Sequence, residues 1–414
     1  MNIFANNSEK YKKNIFILGN ISVFLFFTLI LSINSGASIG IALGFVACIL
    51  SIPYWEKNKI SPQIKFACFL FLFLAFFWSH TFDNILSISF KGDYLLRYIL
   101  GIFFIIGFAN IGIHPRSIVY GIATGAIIAG LISIEQSKTI GRAEGFTNAV
   151  RFGNIGMMMF LICLTASFTK FFSKKERMFF IFSGLFGLLA SILSLSRGGW
   201  IMLPIISMVI LIMIGNKKIT PPLMLISILL ISAFTIIPPV EKRIKSANTE
   251  VMGYIYNKDE YLKTSVGARL ELWKAAFLMG LEKPLTGWGD KEITNGKIEL
   301  INKGISDEYI MTFSHAHNDF LETWARRGVI GVIGLIIIYA MPIYLLKLAR
   351  SFTTTKISDC LLITGVIIYL GYFISGLTSV FFTFVISHNF YLFSFIYLIS
   401  AMQWIKINTI ENNP

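Results

Sequence analysis

Charge is scarce in this sequence. Asp, Glu, Lys and Arg make up 14% of its 414 residues, against 55% hydrophobic residues, and Phe alone occurs 39 times. Such a balance excludes a soluble globular domain and describes a polytopic membrane protein. Cysteine is scarcer still. Cys48, Cys68, Cys163 and Cys360 fall in or at the edge of apolar runs and none has a Cys-x-x-Cys partner, so neither a metal site nor a disulfide framework is indicated. There is no P-loop and no glycine-rich dinucleotide fingerprint, which removes a cytosolic nucleotide site. No small-residue cleavage site follows Lys10, Lys12 and Lys13, so the first apolar run reads as a span and not as a cleaved leader.

What the chain does have is apolar runs long enough to cross a bilayer. Twelve are expected, over about 15–33, 38–54, 64–82, 94–112, 117–135, 152–169, 178–195, 199–215, 222–239, 329–346, 360–380 and 386–404. The expected organisation is residues 1–239 with helices one to nine, a large loop 240–328, and residues 329–414 with helices ten to twelve. With the N-terminus inside, the inner segments carry 17 basic residues against 5 acidic ones, +12 of the net +14. The loop 240–328 carries 13 of each and is neutral. This is a positive-inside pattern with both termini in the cytoplasm. It accounts for the basic balance, so no nucleic acid is expected as a partner.

The basic residues that topology leaves over lie on the outer side. They are Lys138, Arg142 and Arg151 between the fifth and sixth runs, Arg197 between the seventh and eighth, and Arg269 in the long loop. Arg197 stands before Gly198-Gly199, where backbone or ligand can approach closely. Guanidinium groups suit a diphosphate, because the planar fork bonds it bidentately and does not lose its charge. The outer loops hold no Asp-x-Asp pair, and Asp259-Glu260 and Asp307-Glu308 read as solvated carboxylates, so no metal is expected.

The long loop should form a helical cap. Gly267–Leu281 places Leu270, Trp273, Phe277 and Leu281 at helical spacing, and Pro284 with Gly287-Trp288-Gly289 ends that helix. Met311–Gly334 holds two of the five histidines, His315 and His317. There His317, Leu321 and Trp324 fall at i, i+4 and i+7, Ser314 is the expected N-cap, and Gly328 the expected residue past the helix end. His317 is therefore expected in a helix first turn, where the dipole disfavours imidazolium and leaves a neutral ring able to accept a proton. His315 and Asn318 are read as pocket support, and Gly328–Gly331 as the hinge into the tenth run.

These residues resemble the O-antigen ligase and polymerase superfamily, most closely its ligases. The resemblance rests on His317-Asn318, nine residues, then Gly328-Val-Ile-Gly331; on Ser196-Arg197; and on Ser265-Val-Gly-Ala-Arg269-Leu-Glu-Leu-Trp273 with Lys283-Pro284-Leu-Thr-Gly287. It covers essentially the whole chain. One departure is an Asp that some ligases carry near the outer end of the eleventh span, where this chain reads Gly376-Leu-Thr-Ser379.

The resemblance implies an all-α membrane glycosyltransferase of GT-C-like architecture in the bacterial inner membrane, working at the periplasmic face without cofactor or nucleotide sugar. It implies a glycan donor on undecaprenyl diphosphate and lipid A–core as acceptor, in lipopolysaccharide biosynthesis. His317 would be the general base, with Arg197 and Arg269 on the diphosphate. Arg142, Arg151, His315 and Asn318 are the substrate-binding candidates, and inversion at the anomeric carbon is expected. Two relatives of the reaction stay open: an O-antigen polymerase, and a protein O-oligosaccharyltransferase. A flippase for lipid-linked sugar is the reading of another class. It would call for charge inside the bundle and internal repeats. The sequence has Arg97 in the fourth run, no Asp or Glu deep in any run, and no visible repeat.

Overall fold

The computed structural model describes residues 2–84, 87–90, 92–214, 225, 228, 232, 238–351, 355–382 and 384–411. Helices dominate. In chain order they are α1 (Asn2–Leu29), α2 (Gly36–Ser51), α3 (Pro62–Ser79), α4 (Gly92–Ile111), α5 (Pro115–Thr139), α6 (Ala149–Phe168), α7 (Lys174–Leu193) and α8 (Arg197–Ile214). Then follow α9 (Pro238–Tyr256), α10 (Lys258–Tyr261), α11 (Ser265–Glu282), α12 (Gly289–Asn302), α13 (Asp319–Ser351), α14 (Lys356–Gly376) and α15 (Val385–Glu411). Among the described residues nine helices are long and apolar enough to span a membrane, and Pro62–Trp78 and Gly198–Met213 are shorter apolar helices. The run expected over 222–239 lies largely outside the described residues.

The all-α expectation needs one correction. The third run, expected over 64–82, leaves the helix at Ser79 and turns into an antiparallel hairpin of β1 (His80–Asn84) and β2 (Ser87–Phe90). The last carbonyls of a helix have no partner within it. Here Arg327 supplies one from outside, donating to the carbonyls of Phe77 and, at 2.6 Å, His80. The hairpin packs on α12, so it sits at the capped end of the bundle.

The bundle core is aromatic. Phe26, Phe27 and Phe108 are buried around Tyr397, with edge-on ring contacts at 5.0–6.0 Å. Lipid gives no hydrophobic drive to bring helices together, so close packing must do it. Gly156 and Gly187 let α6 and α7 meet backbone to backbone.

Residues 238–318 form a helical cap with its own small core, made of Leu272, Ala275, Ala276, Met279, Trp288, Ile293, Leu300 and Ile310. The face of α11 is a second correction. Phe277 and Leu281, two of the four apolar residues at helical spacing, are 50% and 52% exposed, whereas Leu272 is 2% exposed. Small residues decide it. Trp324 of α13 lies over Gly280, where any side chain would strike its indole, and donates from Nε1 to the carbonyl of Phe277 at 3.0 Å. The buried face also carries Glu271, whose carboxylate accepts from Tyr254, from Lys258 at 3.0 Å and from the Asp307 N–H at 3.1 Å. Burial pushes that carboxyl up, but these three donors outweigh it and hold it below the ordinary value.

Cap and bundle join at Gly328. It interrupts α13 with φ 58°, ψ −155°, a conformation close to the region that only glycine adopts freely, and not the left-handed turn usual past a helix end. The Val329 N–H donates to Pro284 at 2.8 Å, and the Trp288 N–H to Ala325 at 2.8 Å. The backbone of Pro284 and Leu285 passes where a side chain at 328 would be.

Candidate active site

The helix after the histidine pair starts later than expected. α13 begins at Asp319, and its N-cap is Asn318, whose side-chain oxygen accepts the N–H groups of Phe320 at 2.9 Å and Leu321 at 3.1 Å. Ser314 is not the cap. His317 lies outside the first turn, in left-handed backbone at φ 51°. The pattern at 317, 321 and 324 therefore has only its last two members on the helix. Left-handed backbone at a non-glycine residue is costly and gathers at functional sites. Among the described residues it occurs at Ser35, Leu195 and His317, and Leu195 is two residues from Arg197.

The two rings lie 4.3 Å apart, centre to centre, nearly perpendicular. His315 Nδ1 accepts the backbone N–H of His317 at 3.4 Å, which puts the proton of a neutral His315 on Nε2. Burial, then the neighbouring His315 and the Arg269 charge, pushes His317 down to about 4. Burial also lowers His315, against the pull of Glu322 and with the help of Arg326 and Arg151. The neutral imidazole expected from a helix dipole is thus present for another reason: desolvation and cationic neighbours.

Several helix starts meet here. Thr264 caps α11, accepting the Gly267 N–H at 3.1 Å, so Arg269 sits near the start of α11. Asn148 caps α6, accepting the Arg151 N–H at 3.0 Å. Arg151 donates to the Thr147 hydroxyl at 2.9 Å and stacks 3.5 Å from the centre of the Phe384 ring, which His315 approaches edge-on at 6.1 Å. Asn318 also donates to the carbonyl of Leu377 at 3.0 Å. Next to it, Thr378 stands where a side chain at Gly198 would be, and Asn154 flanks the same glycine. That puts the backbone of Arg197, first residue of α8, beside this loop; its side chain lies outside the described residues. Arg142 donates to the carbonyl of Ser194 at 2.8 Å and so braces the turn before Arg197. Ser196 and Ser375 bond the two ends of the Asn154 amide at 3.2 and 3.0 Å, tying α6, α14 and the residue before α8 together.

A family model for O-antigen ligase matches residues 182–336. That stretch contains Arg197, Arg269, the histidine pair and the Gly328 junction. A protein of Haemophilus influenzae, described as uncharacterized, is 30% identical over 369 residues, 84% of this chain and 89% of that one. The chain belongs to the O-antigen ligase superfamily. It is accordingly a multi-pass membrane protein of a glycosyltransferase-like family with ligase or polymerase-type activity.

The superfamily motifs leave a second set of residues unmarked. Glu322 pairs with Arg326 one turn on and accepts the Ala316 N–H at 2.6 Å; Arg326 reaches Asp290 of the cap at 2.8 Å. Asp319 is buried and accepts from the Tyr339 hydroxyl at 3.0 Å and the Phe381 N–H at 3.2 Å. The i, i+4 spacing of Glu322 and Arg326 is visible in the sequence; their convergence with Asp290 is not.

Proposed function

We propose that the protein transfers an O-antigen glycan from undecaprenyl diphosphate to a sugar hydroxyl of lipid A–core, at the periplasmic face of the inner membrane. The observation that carries this is a neutral, desolvated His317 beside cationic groups at the capped end of the bundle. The positive-inside charge pattern supports both termini in the cytoplasm. The superfamily match supports the donor class.

His317 is the general base, acting through its neutral ring. The acceptor oxygen attacks the anomeric carbon as its proton passes to the imidazole. The bond from that carbon to the phosphate oxygen breaks, and its electron pair leaves on the diphosphate. Attack from the side opposite the leaving group inverts the centre. Arg197 and Arg269 offset the charge that grows on the diphosphate, a term larger in a site shielded from water. Arg151, His315 and Asn318 shape the pocket, and Arg142 braces the Arg197 turn. No metal or cofactor is needed, since the diphosphate is already a good leaving group.

A base held near 4 is weak until the donor arrives. The anionic diphosphate raises it by charge alone. The acid limb of kcat/KM, which reports the free enzyme, is therefore expected near pH 4, and that of kcat, which reports the donor complex, at higher pH. Coincident limbs near 6.5 would remove the basis for this mechanism. The deciding assay offers purified protein and undecaprenyl-diphosphate glycan three acceptors in separate reactions: lipid A–core, a second lipid-linked glycan, and a pilin-like protein. Transfer to the first alone is expected. Transfer to the second or third instead makes it a polymerase or a protein O-oligosaccharyltransferase. Activity is expected to persist in EDTA.

A further inference from the structure

Beside the histidine pair, a cavity of about 270 Å³ opens between the end of α3, the start of α4, the cap, the start of α13 and residues 380–384. Trp78, Tyr94, Phe382 and Phe384 form its aromatic walls; Asp290, Glu322, Thr323 and His315 are among its polar lining. None of these is a matched motif residue; His315 alone was read from the sequence, as pocket support.

Two guanidinium groups border the cavity, and both are engaged by the protein. Arg326 holds Glu322, Asp290 at 2.8 Å and the carbonyl of Ser314 at 3.2 Å. Arg327 holds the carbonyls of Phe77, His80 and Trp78. Three carboxylates, Asp290, Asp319 and Glu322, share the same lining. A phosphate entering here would meet carboxylates and find the two forks already occupied. A molecule rich in hydroxyl donors and without charge fits: its hydroxyls meet carboxylate oxygens and its C–H faces meet aromatic rings. One group also asks for an acceptor. Trp78 is 8% exposed, stacks on Phe382 at 5.4 Å, and its Nε1–H has no partner among the described residues. A buried donor left unpaired is costly, and Nε1 is enclosed, so a ligand oxygen that met it on a small shift of the ring would gain more than one taken from water.

We infer that this cavity is the acceptor-sugar subsite, that it takes an uncharged sugar ring, and that it excludes a phosphorylated one. The inference rests on the transferase reading above. It assigns the hydroxyl's approach to the side of the cap and the α3 end, with the diphosphate at the arginines of α8 and α11.

Two variants of the full chain in nanodiscs test it, Trp78→Phe and Thr323→Val. The first keeps the stack and loses the N–H; the second keeps the shape and loses a hydroxyl. Each is expected to raise the KM for lipid A–core about five- to tenfold, with the donor KM within about twofold of wild type. Wild type should use lipid A–core with an unsubstituted outermost hexose at least about tenfold better than the same acceptor phosphorylated there. A raised donor KM, an unchanged acceptor KM or indifference to the phosphate would overturn the assignment. A second arm does not need turnover: binding of neutral core oligosaccharide, released from lipid A, to the His317→Ala protein. If wild type transfers to none of the acceptors, the transferase reading fails on its own. Binding weakened by Trp78→Phe would still support a sugar cavity, while binding that is absent or insensitive to that change would overturn it.

Discussion

The bundle and the cap hold together by different means. The bundle buries large rings against one another, as Phe26, Phe27 and Tyr397 do. The cap has a core of alanines, leucines and a methionine around one buried carboxylate, Glu271, and borrows Trp324 from α13. A bundle in lipid can carry apolar surface on every side, so exchanges among its outward-facing hydrophobes leave it intact, while its buried rings and glycine contacts hold the helices together. The cap closes on a small core, so its few polar ties and small residues set its position. Arg269, Asp290 and the histidine pair belong to the cap, and Arg151 and Arg197 to helix ends of the bundle, so the proposed active geometry depends on how the cap is seated.

Four substitutions probe this difference. We predict the largest effect at the seam itself. His317→Ala should lower transfer by about 10²–10⁴-fold with membrane insertion unchanged; a normal lipopolysaccharide ladder in cells carrying that variant would rule out the base. Within the cap, Leu272→Ala should cost about 2–5 kcal/mol of local stability. Hydrogen exchange over residues 265–302 would report it, and unchanged protection there would show that the cap has no core of its own.

Glu271→Gln should cost about 1–3 kcal/mol, because Lys258 and the Asp307 N–H lose their charged acceptor. The same residue gives the cap a pH dependence. Its folded value is lowered, so its contribution is present above the ordinary carboxyl range and is lost as pH falls through the folded value. His317 acts over a higher window. Its lowered value means that the unfolded chain takes up a proton first, so stability declines as pH drops from 6.5 towards 4. Proteolysis of the cap against pH would register both, and a flat profile would contradict them. Phe277→Ser should change cap stability by no more than about 0.5 kcal/mol. A loss as large as that of Leu272→Ala would restore the face that apolar spacing alone suggests.

That contrast marks how far the sequence could be read. Phe277 and Leu281 have helical spacing as good as that of Leu272 and Met279, and nothing local ranks the two faces. The choice was made by Trp324 lying over Gly280, some forty residues away in the chain. The start of α13 was missed by a few residues for a related reason. Ser314 and Asn318 are both good caps, and the carbonyl of Leu377 selects Asn318 by taking its amide. The hairpin after α3 was missed because its first residues, His80-Thr-Phe82, read as the end of the apolar run.

By itself the sequence determined the membrane class, the cap's place in the chain, and the motif residues His317, Asn318, Arg197 and Arg269. The first two follow from composition, charge and short-range spacing, and the motif residues from the resemblance to the superfamily; all of these are written in the linear sequence. Only the tertiary structure decided that His317 stands off the helix in strained backbone, that burial rather than a helix dipole keeps it neutral, and that Trp78, Asp290 and Glu322 share a cavity beside it. These depend on surfaces brought together from α3, the cap and α13. A linear pattern carries no record of which buried group loses water to which neighbour.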